Sequence, residues 1–150
     1  MITRQGIYRS FVFLLLALSS VACQAVDNPE APNYLESFRS EASTFEQSIY
    51  QEAQSTAEMV DAYQRYIQFL DKKLAATESA IEKELREPDR STFITSQSAW
   101  ESYRKAERDF ISSVWTRKNF GSSSDVSRLS LYAHLLKSRI ELLLKYRLQF

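Results

Sequence analysis

Apolar residues return every three or four positions along most of this chain, and almost nowhere every two. Leu35, Phe38, Ala42, Phe45 and Ile49 form a first stripe of this kind, the spacing that lines up side chains on one face of an α-helix. A longer series follows in Met59, Ala62, Tyr66, Leu70, Leu74, Thr77, Ile81 and Leu85. It meets no breaker until Glu87-Pro88-Asp89, and the proline predicts a helix end near Arg86. A third helix is predicted from about Ser91, with Phe93, Gln97, Trp100, Tyr103, Phe110 and Val114 on one side. Asn119 to Ser124 reads as a loop with Gly121 as the C-terminal stop, and Ser124 or Asp125 can cap the helix that follows. That last helix carries Leu129, Tyr132, Leu136, Ile140, Leu143 and Arg147 on its stripe.

Long helices joined by short connections predict an all-α fold, an antiparallel helical bundle or hairpin of three to four helices. The sustained three-four spacing also allows a coiled-coil-like hairpin between the second and third helices. Two glycines and three prolines in 150 residues are too few for the many turns of an all-β fold. The length supports one domain.

The N-terminus breaks the amphipathic pattern. Arg4 and Arg9 precede the apolar run Phe11 to Leu18, and small residues follow in SSVACQA, which together predict an export signal over residues 1–25. The run is far shorter than the roughly 20 residues of a membrane-spanning helix. Ser20-Val21-Ala22-Cys23 resembles a bacterial lipobox, making Cys23 a candidate for lipidation; cleavage after Ala22 or Ala25 fits the small residues equally well. Residues 26–34, rich in proline, read as a flexible leader, and residues 35–150 as a single helical domain. With Cys23 the sole cysteine, no disulfide can staple that domain, so its core must stabilise it alone.

Charge is divided along the chain. Residues 27–99 carry seven Lys and Arg against fourteen Asp and Glu, whereas residues 100–150 carry ten against five. The two halves can therefore attract each other within one bundle, although solvated faces of either sign are the simpler expectation.

Catalytic chemistry has little to build on. His134 is the only histidine, without the partners a zinc site requires. Glu78 and Glu82 have the i, i+4 spacing of carboxylate metal sites, but such sites also need histidines from facing helices, so these two with Lys83 read as a solvated face. There is no glycine-rich phosphate loop and no nucleophile elbow. Arg104, Lys105, Arg108, Arg117 and Lys118 form a modest basic patch near Trp100, Tyr103 and Trp115, but an exported, slightly acidic mature chain is a poor candidate for nucleic acid. The residues therefore point to a binding or structural module with no cofactor, no metal and no catalytic group, and not to an enzyme.

One stretch carries a resemblance. Gln97-Ser98-Ala99-Trp100-Glu101-Ser102-Tyr103-Arg104-Lys105-Ala106-Glu107 is similar to the most recognisable motif of the lysozyme-inhibitor LprI N-terminal-like family, Gln-x-x-Trp-x-x-(Tyr/Phe)-Arg-x-Ala-Glu followed by cysteine. Gly121-Ser122 resembles that family's Gly-Ser loop, and Leu135-Leu136-Lys137-Ser138-Arg139 its Leu-Thr-x-x-Arg element, so the similar region covers about residues 56–147. The resemblance implies a small exported bacterial helical domain, often held by disulfides, with lysozyme inhibition attributed to some members. Here Arg108 stands where the family's cysteine would follow Glu107, and Leu131 at about the position of its partner.

For the motif itself, Trp100 and Tyr103 have the size and spacing to anchor a bundle. Gln97, Arg104 and Glu107 lie near the same face, Arg104 and Glu107 can pair, and Arg139 from the last helix can join them in a buried polar network that fixes helix register. The partner implied by the resemblance is a lysozyme-type hydrolase. Lysozymes are commonly basic, so the acids Glu52, Glu58, Asp61, Glu78, Glu82 and Glu84 form the expected docking face. The alternative is a helical interaction module of the envelope without inhibitory activity, touching a membrane only through an anchor at Cys23.

Overall fold

The computed structural model describes residues 33–147. The expected export signal, Cys23 and nearly all of the expected leader lie outside the described residues. The chain order is α1 (Tyr34–Gln47), a π-type turn (Ser48–Glu52), α2 (Thr56–Glu84), α3 (Asp89–Val114), the single turn α4 (Arg117–Phe120), a 3-10 turn (Gly121–Ser123) and α5 (Ser124–Arg147). No strand occurs among the described residues. The four long helices form the expected all-α antiparallel bundle.

Local chemistry explains the helix starts. Asn33 accepts the backbone N–H of Glu36 at 3.0 Å and so caps α1. Ser55 and Glu58 form a reciprocal capping box at α2: the Ser55 hydroxyl accepts from the Glu58 N–H at 3.2 Å, and the Glu58 carboxylate accepts from the Ser55 N–H at 3.1 Å. Each such pairing satisfies donors that the first helical turn leaves without partners. At the far end α2 stops at Glu84 and Leu85 is already extended, one turn before Pro88.

The core is the seam between α2 and α5. Leu70 and Ile81 from α2 and Leu136, Ile140 and Leu143 from α5 are fully buried there, with Leu74 and Tyr66 beside them. This departs from the expected α2–α3 hairpin, because α2 packs mainly on α5. The reason lies in the stripes. Those of α2 and α5 are apolar but for Thr77 and the terminal Arg147, whereas on α3 Gln97, Glu101, Arg104 and Glu107 interrupt the inner face, leaving Ile111 as its one buried residue. Two continuous apolar faces remove more surface from water when they meet each other than when either meets an interrupted one.

α1 and α3 then flank that pair on opposite sides. On α2, Phe69 and Lys73 serve α1 while Asp71 serves α3; on α5, Lys137 and Glu141 serve α1 while Arg139 serves α3. Residues two apart on a helix point about 200° apart, so the neighbours they touch lie across the helix from one another. Phe38 and Phe45 of α1 stack on Phe69, at 6.2 and 4.6 Å between ring centroids. Beside them Glu46 accepts hydrogen bonds from the Tyr66 hydroxyl at 2.8 Å and the Lys137 ammonium at 2.6 Å, tying α1, α2 and α5 together. Burial, and then this carboxylate, hold the Tyr66 phenol well above its ordinary range.

Two boundaries differ from expectation. α3 ends at Val114, not at Gly121; after Trp115 and Thr116, residues 117–123 make the separate turns α4 and Gly121–Ser123. Gly121 does terminate a helix, but that helix is α4. Its φ of 65° with ψ of −152° is a conformation open essentially to glycine alone, and no neighbour lies close to where a Cβ would sit, so the need is for backbone freedom and not for space. Ser124, expected as a cap, opens α5 itself, buried and with its hydroxyl unpartnered.

Leu136→Ala should lower the unfolding free energy by about 2–5 kcal/mol, since it removes fully buried methyls from the seam. Tyr103→Ala, on the solvent side of α3, should change it by no more than about 0.5 kcal/mol. Urea unfolding followed by circular dichroism distinguishes the two; equal effects would contradict the placement of α3.

Candidate functional site

The polar network expected around Trp100 is assembled at the junction of α2, α3 and α5. Trp100 is partly buried against the core. The guanidinium of Arg104, one turn along α3, lies 5.4 Å from its ring centroid, and that of Arg139 from α5 lies 5.3 Å away. Each is within range of an attractive cation–π contact. Arg139 donates to the Gln97 side-chain oxygen at 2.8 Å, so Gln97, Trp100, Arg104 and Arg139 do meet in one group.

Arg104 chooses different acids from the one expected. It bonds Glu101 at 2.7 Å and Asp71 of α2 at 3.1 Å, while Glu107 has no ion pair among the described residues. Helical side chains lean toward the N-terminus of their helix, so an arginine reaches back to an acid three positions before it more easily than forward to one three positions after. Tyr103 is also displaced from its expected role, at 52% exposed. The inner face of α3 runs through 100, 104, 107, 111 and 114, and Tyr103 and Phe110 fall about 100° off it.

Glu78 is the participant that the sequence reading placed wrongly. It does not lie on a solvated face: it points into this junction with Oε1 buried and unpartnered, as are Gln97 Nε2 and Arg139 Nε. Burial and then the nearby Glu101 push its carboxyl above the usual range, partly opposed by Arg139 and Arg104. Burial likewise lowers the Arg139 guanidinium from its usual value. A cleft of about 410 Å³ lined by Glu78, Glu82, Phe93, Gln97 and Glu101 opens beside them, large enough to bring water to the unpartnered atoms. The i, i+4 spacing of Glu78 and Glu82 carried no hint of this division: Glu82 faces outward to Arg90 at 2.6 Å, whereas Glu78 sits 40° nearer the seam.

Further along α3, Arg108 occupies the place where the resemblance leads one to expect a cysteine. Its guanidinium lies 5.1 Å from the Tyr132 ring of α5, so a cation–π contact joins the two helices there. Between α2, α3 and α5 a groove of about 570 Å³ opens, floored by Val60, Ile67, Ile111 and Leu129. His134 is exposed on α5. No group of three metal-ligating side chains occurs among the described residues, and no helix among them is long and apolar enough to cross a membrane.

The polar residues of the motif thus converge on a packing junction between α2, α3 and α5. The sequence profile of the family described as lysozyme inhibitor LprI matches residues 48–143, and the chain belongs to that family. The matched stretch begins earlier than the similarity region of 56–147, taking in the turn between α1 and α2, and leaves α1 itself outside. Neither a search of curated proteins nor one of solved structures returns a match.

Trp100→Ala should cost about 2–4 kcal/mol of stability, from lost burial and two lost cation–π contacts. Glu78 gives a pH signature. Its folded-state pKa is raised, so the folded protein holds a proton that the unfolded chain releases, and stability falls as pH rises from the ordinary glutamate value through the raised one. Glu78→Gln should flatten that fall and leave the protein at least as stable at neutral pH, in unfolding curves taken across the acid to neutral range.

Proposed function

We infer that this chain is an exported envelope protein that acts by binding a lysozyme-type hydrolase, without catalysis of its own. The family match over residues 48–143 carries this reading, and the N-terminal sequence pattern supports export. The distribution of charge narrows where a basic hydrolase would dock. Of the acids expected to form that face, Glu82 is paired with Arg90 and Glu84 with Arg147, Glu78 is turned inward, and Glu58 is occupied in the α2 capping box. Glu52 and Asp61 stay exposed without an ion-pair partner among the described residues. Glu52 lies two residues after Tyr50, which is 71% exposed, in the turn joining α1 to α2, and Asp61 lies in the second turn of α2. An exposed aromatic ring next to an unpaired acid, with a second acid on the following helix, is the pattern expected of a surface that meets a cationic partner. The Tyr50 hydroxyl is held by Tyr63 at 3.1 Å, and that bond, with burial, pushes its phenol up to about 12, so it stays neutral at any physiological pH.

The purified protein should slow lysis of a bacterial cell suspension by lysozyme at micromolar concentration. Glu52→Lys combined with Asp61→Lys should weaken this by roughly tenfold or more, with little change in thermal stability. Lysis that proceeds unchanged with a panel of lysozyme types would defeat the reading. Inhibition that survives both charge reversals would keep it but move the docking face elsewhere.

A further inference from the structure

The α3–α5 corner presents three aromatic rings that the bundle does not use. Phe110 comes from the last turn of α3, Trp115 from its C-cap and Phe120 from the end of α4. Phe110 meets Trp115 edge-on at 6.1 Å, and Trp115 stacks with Phe120 at 6.1 Å. The result is one continuous ladder whose outer rings are 53% and 48% exposed. A contiguous apolar patch in water, unlike scattered single residues, marks a contact surface.

The backbone beneath these rings is built, not slack. The Trp115 carbonyl accepts from Arg128 at 3.0 Å, the Asn119 side chain donates to the Val114 carbonyl at 3.1 Å, and the Ser123 hydroxyl donates to the Phe120 carbonyl at 2.9 Å. Thr116 caps α4, and Gly121 makes the reversal after it. The turn thus holds the ladder outward in a fixed geometry, which reduces the ordering cost of any contact it makes.

Charge indicates the kind of contact. Residues 104–128 carry six Lys and Arg against three acids. Two of those acids are engaged within the corner, Asp109 by Lys105 and Asp125 by Arg117 and Arg128. Lys118 sits exposed on α4 between Trp115 and Phe120, without an ion-pair partner among the described residues. A basic hydrolase would be repelled here, so the corner is unsuited to the partner inferred above. Exposed Trp and Phe rings interleaved with Arg and Lys match a bilayer interface instead, where rings enter the headgroup–acyl boundary and cations meet anionic lipid.

We propose that Phe110, Trp115 and Phe120, together with Arg117 and Lys118, form a docking corner for a bilayer surface carrying anionic lipid. Contact is made by this corner and not by the whole end of the bundle, because the unpaired Glu52 at the α1–α2 corner lies on the α1 side of the α2–α5 pair. The proposal does not depend on lysozyme binding.

The test uses the full chain with phosphatidylcholine vesicles, with and without phosphatidylglycerol, read by co-sedimentation and by quenching of tryptophan fluorescence with acyl-brominated lipid. Binding should require phosphatidylglycerol and weaken with salt. The quenched fluorescence should come from Trp115, so that Trp115→Phe abolishes quenching while Trp100 contributes little. Phe110→Ser combined with Phe120→Ser should reduce the partition coefficient by roughly tenfold or more, and Lys118→Glu should reduce it severalfold, all three chains keeping the unfolding midpoint of the parent within a few degrees. Binding that is equal on neutral vesicles, or unchanged in the double serine variant as it would be if the apolar run Phe11 to Leu18 carried it, overturns the proposal. So does a lipid-free dimer, seen by analytical ultracentrifugation, that the serine substitutions dissociate, since the ladder would then be a self-association face.

Discussion

Everything else in this bundle is arranged around the apolar seam between α2 and α5. These two helices have the longest nearly continuous hydrophobic inner faces among the described ones, and a chain with a single cysteine has no other strong staple available. Once they are joined, the other two long helices have nowhere to bury their weaker stripes except in the two grooves that the pair leaves. α1 fills one with stacked aromatic rings. α3 fills the other less completely, with polar side chains at the very level where a core would normally be driest. The clefts of about 570 and 410 Å³ and the unpartnered atoms of Glu78, Gln97 and Arg139 are found on the α3 side for this reason.

Charge acts at the next level. The acidic first half and basic second half of the sequence meet as specific interhelical pairs: Lys137 with Glu46, Arg104 with Asp71 and Arg147 with Glu84, while Arg139 stands near Glu78. Exposed pairs of this kind contribute little individually. Several spread along the same seams nevertheless oppose sliding of one helix past another, and sliding is the error most open to a bundle of similar apolar stripes. Arg147 adds a contact with the Tyr34 ring at 4.1 Å, fastening the last turn of α5 to the first turn of α1.

Much of this was legible from residue spacing. The stripes of α1, α2 and α5 coincide with the buried residues almost position for position, because an uninterrupted apolar series leaves only one face to bury. The stripe of α3 was legible only as far as Trp100. Beyond it, aromatic side chains at 103 and 110 compete with smaller or charged ones at 104, 107 and 111, and a size-based reading follows the aromatics outward into solvent. The motif residues were identifiable as a group, but not the acids they engage. The choice of Glu101 over Glu107 depends on side-chain lean, and that of Asp71 on which helix lies opposite. Glu78 was invisible for a related reason, since one carboxylate on a helix looks like any other until the neighbouring helix is in place.

α1 has a consequence for what counts as the unit of this protein. The stretch that the family profile matches starts just after α1 ends, yet Phe38 and Ala42 are buried as deeply as the core residues of the matched helices, and Phe69 of α2 has its ring covered from α1. Ancestry and cooperativity are therefore drawn with different borders in this molecule. A segment trimmed to the inherited stretch would retain the family's signature and lose one wall of its own interior, so the smallest piece that is recognisable is smaller than the smallest piece that is complete.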